Sequence, residues 1–182
     1  MAELRELELS AAQRGMVLGH LLDASGYAYN IGQYEAIEGP LDVDRFIEAA
    51  RYVVAHTEAL RTRIVLTEKG YVQQIEPNDS YRLPVIDLSG SADPEAEAQA
   101  LQQLVSAPFD LSGGPLCRWA LVKLGHDRWH YVGIAHHAVT DGLSGLLWVQ
   151  RTAQVYTALT LGEPLPVYAV GEVAILVGQE AA

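Results

Sequence analysis

Residues 128–135, Arg-Trp-His-Tyr-Val-Gly-Ile-Ala, are nearly continuous in apolar side chains and run straight into His136-His137. A run of this length with no alternation reads as an interior strand, one buried on both faces. After Asp141-Gly142 the pattern changes to helical spacing, with Leu146, Val149, Ala153 and Tyr156 sharing a face. A core strand that ends in a histidine-bearing turn and continues as a helix requires a sheet around it and helices over it. The fold class that follows is α+β, a mixed sheet packed with helices.

The rest of the chain supplies those partners. Residues 116–124 read as a second strand joined to the first at Gly125-His126-Asp127. Residues 62–66 and 71–75 are β-prone on either side of Glu68-Lys69-Gly70, which predicts a hairpin. Further strands are expected at 33–38 and 84–88. Ser10-Ala11-Ala12-Gln13 has the capping-box spacing and predicts a helix over 11–22. Asp42 caps a helix over 43–56 whose buried face is Phe46, Ala49, Ala50, Val53 and Val54. Asp93-Pro94-Glu95 opens another, to about residue 107. The 182 residues, 49% of them hydrophobic, suffice for one core. A linker is expected at Gly162-Glu163-Pro164-Leu165-Pro166. The expected division is therefore a lobe over 1–165 and, over 166–182, the start of a connection to something further.

Composition removes several classes of function. The net charge of −11 argues against nucleic acid, whose binding draws on clustered Lys and Arg. No apolar run approaches the roughly 20 residues of a membrane span, and the charged amino terminus lacks the order of a secretion signal; a cytoplasmic protein is expected. Cys117 is the one cysteine, set in an apolar run, and reads as a buried structural thiol. His20, His126 and His130 have no partner at a telling spacing, and no ligand set points to a metal. Trp119, Trp129 and Trp148 read as core or interface aromatics.

The chemistry lies in the turn. Imidazole is the side chain suited to moving a proton near neutral pH, and a strand end fixes its direction. Gly142 allows close backbone approach, so that its amide can face a developing oxyanion, and Asp141 can orient the turn by pairing with a buried arginine. The plain alternative is that both histidines are core residues bonded to backbone carbonyls. Ser144 either contacts an intermediate or caps the following helix.

His136-His137-Ala138-Val139-Thr140-Asp141-Gly142-Leu143-Ser144 resembles the signature of nonribosomal peptide synthetase condensation domains, His-His-x-x-x-Asp-Gly followed closely by Ser. Leu9-Ser10-Ala11-Ala12-Gln13 is similar to the first motif of that family and Glu58-Ala59-Leu60-Arg61-Thr62 to its second. The segment from Pro108 to Arg118 is similar to the one that precedes the catalytic strand. The resemblance implies the amino-terminal lobe of a chloramphenicol acetyltransferase-like fold, in which two lobes enclose a tunnel. It implies amide formation, the amine of an acceptor aminoacyl thioester attacking a donor acyl or peptidyl thioester, each on the phosphopantetheine of a carrier domain, with no cofactor bound by the lobe itself. The implied partners are donor and acceptor carrier domains, a carboxy-terminal lobe missing from this chain and an adenylation domain.

By the same resemblance His137 is catalytic, as base or as positioner of the amine, with Gly142 beside it, and His136 is structural. Asp141 pairs with Arg61 in a buried ion pair whose loss costs about 3–5 kcal/mol. Ser144 and Gln13 are candidate contacts for substrate or pantetheine. The second motif departs from the family at His56-Thr57, and Gly15 stands where the first usually has arginine. That glycine, with Tyr29-Asn30-Ile31, resembles the enterobactin synthase type and raises a siderophore pathway. An epimerization domain or other acyltransferase of the same fold, disfavoured by Gly145-Leu146-Leu147, is one alternative. A non-catalytic carrier-docking lobe is another. The isolated lobe is expected to be inactive alone.

Overall fold

The computed structural model describes residues 4–77, 81–90, 103 and 106–168. It contains strands β1 (Arg5–Glu8), β2 (Asn30–Glu38), β3 (Thr62–Thr67), β4 (Gly70–Ile75), β5 (Val85–Asp87), β6 (Cys117–Gly125) and β7 (Arg128–His136). The helices are α1 (Ala11–Leu22), α2 (Val43–Ala55) and α3 (Gly142–Leu161), with a short 3-10 turn at Glu58–Arg61. The helix expected over 93–107 lies, but for isolated positions, outside the described residues.

The expected interior strand is the centre of a four-stranded sheet ordered β2-β7-β6-β5, in which β5 runs parallel to β6 and the other pairs are antiparallel. The sheet is thus mixed, and both its faces are covered. Along β6 and β7, Trp119, Leu121, Trp129 and Tyr131 face one core with Phe46, Ala49, Ala50 and Val53 of α2 and Trp148 and Val155 of α3. The intervening Ala120, Val122, Val132 and Ile134 face a second core with Val17 of α1, Ile64 of β3, Phe109 and Leu116. This alternation is why the sequence shows no polar face: each buried aliphatic side chain contributes about 1.5–3 kcal/mol, whichever side it takes. At Gly133 the first core needs bare backbone, because a Cβ there would overlap the Trp119 ring. All three tryptophans are buried, as is Cys117, whose thiol burial pushes up to about 12.

The second sheet, β1-β4-β3, contains the expected hairpin and one strand not anticipated. Residues 5–8, Arg-Glu-Leu-Glu, alternate in burial rather than in polarity, and they pair with β4 from Arg5↔Ile75 to Glu8↔Val72. The helix ends follow their caps. Ser10 Oγ accepts from Gln13 N at 3.1 Å while Gln13 Oε1 accepts from Ser10 N at 2.9 Å. Asp42 accepts from Arg45 N, and α3 stops at Gly162, whose left-handed φ of 68° glycine adopts without strain. Beyond it the chain lies back on the helices: Leu165 and Tyr168 pack against the first core, and Tyr52 Oη donates to Pro166 O at 3.1 Å.

Candidate functional site

The site is built where β7 leaves the sheet. Strand pairing holds the backbone on both sides up to and past the strand end: His136 N donates to Leu116 O at 2.8 Å and His137 N to Tyr29 O at 2.8 Å. Val139 N then closes a turn onto His136 O at 3.0 Å. Successive side chains alternate faces, so the two histidines part. His136 is fully buried, whereas His137 is exposed and lines a cleft of about 410 Å³. The other walls are Gln13 and Met16 of α1, Thr62 and Gln73 of the second sheet, and Ser144 of α3.

His136 is structural. Its Nδ1 accepts from Ala138 N at 3.1 Å, and its Nε2 lies 3.2 Å from His20 Nδ1. Tyr29 stacks on the ring at 5.9 Å, with Phe109 edge-on at 6.3 Å. Burial, then the neighbouring His20 and His137, hold its pKa down at about 4, so the buried imidazole is neutral. His20, which the sequence offered no reason to single out, is thus its partner, across 116 positions that no local spacing reveals.

Asp141 is not in the expected ion pair. It is the N-cap of α3, exposed, with Oδ1 accepting from Ser144 N at 2.8 Å and from Ser144 Oγ at 2.7 Å. Those bonds from Ser144 hold its carboxyl below the ordinary range. Arg61 turns elsewhere: Nε donates to Val54 O at 3.2 Å and Nη1 donates to Glu76 O. The physical reason is that both groups are satisfied locally, the guanidinium by carbonyls that end α2 and follow β4, the carboxylate by the amide and hydroxyl of Ser144 at a helix start. The second motif reaches the cleft instead through Ala59 and Thr62.

Ser144 lines the cleft with its hydroxyl engaged by Asp141. Gln13 also lines it, but both its amide hydrogens are committed, to Gln73 Oε1 and to Ala138 O, each at 3.1 Å. It is a strut between α1, β4 and the histidine turn. Gln73, buried and itself bonded to Glu8 O at 2.8 Å, completes that strut; its place in a β-prone hairpin gave no sign of it.

At Gly142 an added Cβ would meet no atom within 4 Å, and φ is not positive, so neither packing nor backbone conformation among the described residues calls for glycine. The amides of Gly142 and Leu143 have no acceptor among the described residues, since Asp141 takes those of Ser144 and Gly145. A helix start with free N–H groups favours negative charge beside it. An exposed imidazole in the cleft and, beside the cleft-lining Asp141 and Ser144, a helix start with unfilled amide donors are parts that acyl transfer to an amine uses. No group of three His, Cys, Asp or Glu among the described residues could hold a metal, and no described helix is long and apolar enough to cross a membrane.

Residues 3–172 match the condensation domain family. The isonitrile lipopeptide synthase of Streptomyces coeruleorubidus is 36% identical over 159 residues, 86% of this chain and 11% of that protein. The dimodular nonribosomal peptide synthase of Bacillus subtilis is 35% identical over 166 residues, 90% of this chain and 7% of that protein. Among solved structures, the starter condensation domain of rhizomide synthetase RzmA superposes with a TM-score of 0.88 at 34% identity, over 97% of this chain and 43% of that one. The first condensation domain of the calcium-dependent antibiotic synthetase, in complex with a substrate analogue, does so with a TM-score of 0.85 at 35% identity, over 97% and 45%. The chain spans a small part of these synthases and less than half of the solved domain chains.

Proposed function

The chain belongs to the condensation domain family, and from that premise we propose that it forms one wall of an amide-forming site in nonribosomal peptide synthesis. The reaction is attack by the α-amine of an acceptor aminoacyl thioester on the carbonyl of a donor acyl or peptidyl thioester. The C–N bond forms, the donor C–S bond breaks, and the thiol of the donor pantetheine leaves with a proton. Donor and acceptor arrive on the phosphopantetheine arms of carrier domains, with an adenylation domain loading the acceptor. The lobe itself binds no cofactor.

The observation that carries this reading is the exposure of His137 in the cleft while its twin is locked away. An α-amine of pKa about 8 is already partly neutral at pH 7, so removing its proton is a small demand. His137 then serves chiefly by holding the amine in line and taking its proton as the bond forms. The free amides of Gly142 and Leu143 suit the oxyanion of the tetrahedral intermediate. Leu143, Leu146 and Leu147 stay exposed on the first turns of α3, and an apolar surface of this kind is normally an interface. The complementary lobe of a condensation domain is the partner that fits it, and the lobe alone is then inactive. The siderophore product suggested by the glycine-bearing first motif rests on that motif alone.

The test is turnover with loaded donor and acceptor carriers, for this chain and for the same lobe within a complete condensation domain. His137→Ala in the complete domain is expected to abolish amide formation and leave carrier binding intact. An unchanged rate removes His137 from the mechanism, and robust turnover by the lobe alone removes the need for a second wall.

A further inference from the structure

The buried His136 ring has both nitrogens committed, and the commitments are directional. Its Nδ1 accepts the Ala138 amide, so in the neutral ring the proton sits on Nε2. That Nε2–H points at His20 Nδ1, 3.2 Å away, which must accept; the proton of His20 is then on its own Nε2. The rings meet edge to face, centroids 5.0 Å apart and planes at 71°. Gly19, the residue before His20 on α1, has its missing side chain replaced by the Tyr29 ring: a Cβ there would overlap the Tyr29 hydroxyl. Tyr29 in turn stacks on His136 and accepts the His137 amide through its carbonyl. The last turn of α1 therefore reaches the histidine turn twice, by an acceptor and by a seat for Tyr29.

We propose that His20 is a positioning residue for His137. Its Nδ1 fixes the tautomer of His136, the His136 Nδ1 fixes the Ala138 amide, and the turn so held aims His137 into the cleft. Without an acceptor at position 20, His136 has two poor choices. It keeps Nε2–H buried without a partner, or it moves the proton to Nδ1 and surrenders the Ala138 amide. Either choice loosens the residue next to His137. His20 is only partly buried and borders a separate surface cavity of about 270 Å³ with Phe109 and Asp110, so it acts from outside the cleft.

The inference rests on the proposed role of His137, and the experiment separates the two. His20→Asn keeps an acceptor where Nδ1 lies, because both atoms are two bonds beyond Cβ; His20→Leu fills the space and accepts nothing. In the 182-residue chain, imidazole nitrogen shifts read the His136 tautomer and hydrogen exchange reads the Ala138 amide. In a complete domain carrying this lobe, turnover is measured alongside His137→Ala. Wild type is expected to show His136 protonated at Nε2. His20→Leu is expected to speed Ala138 exchange and lower kcat by about tenfold each, with KM within about twofold of wild type. His20→Asn is expected to restore both. The proposal is overturned if His20→Leu leaves Ala138 exchange unchanged, if His20→Asn behaves like His20→Leu, or if exchange changes while kcat does not. Failure of the proposed chemistry shows instead as an unchanged rate in His137→Ala.

Discussion

Replacing Asp141 by alanine distinguishes a helix cap from a buried ion pair, two roles whose energies differ enough to measure. In the structure the carboxylate takes one backbone amide and one hydroxyl of Ser144, at 2.8 and 2.7 Å, and is exposed. Loss of an N-cap costs about 1 kcal/mol, and removing a negative charge from a helix start adds about 0.3–1 kcal/mol. Asp141→Ala is therefore expected to cost about 1–2 kcal/mol, and Asp141→Asn, which keeps an acceptor, at most a few tenths on the capping side. A buried ion pair with Arg61 would instead cost about 3–5 kcal/mol on losing one member. Urea unfolding followed by the fluorescence of Trp119, Trp129 and Trp148, all buried, measures the difference. A double-mutant cycle with Arg61→Met adds the decisive quantity, since residues with separate partners are additive within about 0.5 kcal/mol. Because the folded-state pKa of Asp141 is depressed, its share of stability is present above the unfolded value of 3.8 and is lost as pH falls through the folded one. A cost above about 3 kcal/mol, or a coupling to Arg61 above about 1.5 kcal/mol, would refute the capping argument.

His136 makes the fold acid-sensitive: with a pKa of about 4 against an ordinary 6.5, the unfolded chain takes up its proton first. Stability is full above pH 6.5 and falls by roughly 3 kcal/mol on the way to pH 4, a slope that His136→Phe should reduce in pH-dependent urea titrations; an equal slope in both proteins counts against it. Gly133→Ala forces a Cβ into the Trp119 ring and is expected to cost about 1–3 kcal/mol in thermal unfolding, partly relieved by Trp119→Val; an unshifted Tm contradicts the packing. Cys117, buried and held near 12, is expected to react with a disulfide reagent no faster than the chain unfolds, so prompt labelling of native protein shows that the thiol is reachable.

What the sequence revealed about this molecule followed from burial. The β6 and β7 runs were legible because both faces of their sheet are covered, and α2 because five apolar residues share one of its faces. Strand β1 was not, because its four residues are mostly charged and alternate only in burial, and its pairing partner is 70 positions away in Ile75. At the site, the separation of His136 from His137 followed from strand alternation. The role of Asp141 did not, because an aspartate before a helix and an aspartate beside an arginine carry the same letters. Gln13 was visible as half of a capping box, yet its other hydrogen bonds depend on where β4 and the turn come to rest. His20 and Gln73 act only through such long-range contacts, which no periodicity encodes.

The nine-residue register between β2 and β7, from Asn30↔His136 to Glu38↔Arg128, has a meaning beyond stability. The two histidines are chemically identical, and only their parity along the strand decides which one is entombed and which meets the cleft. A slip of one residue would reverse their faces, turning His137 into the interior and His136 outward, away from the Ala138 amide and His20 that hold it. Two equivalent imidazoles in a row thus need an address, and the sheet provides it by counting residues.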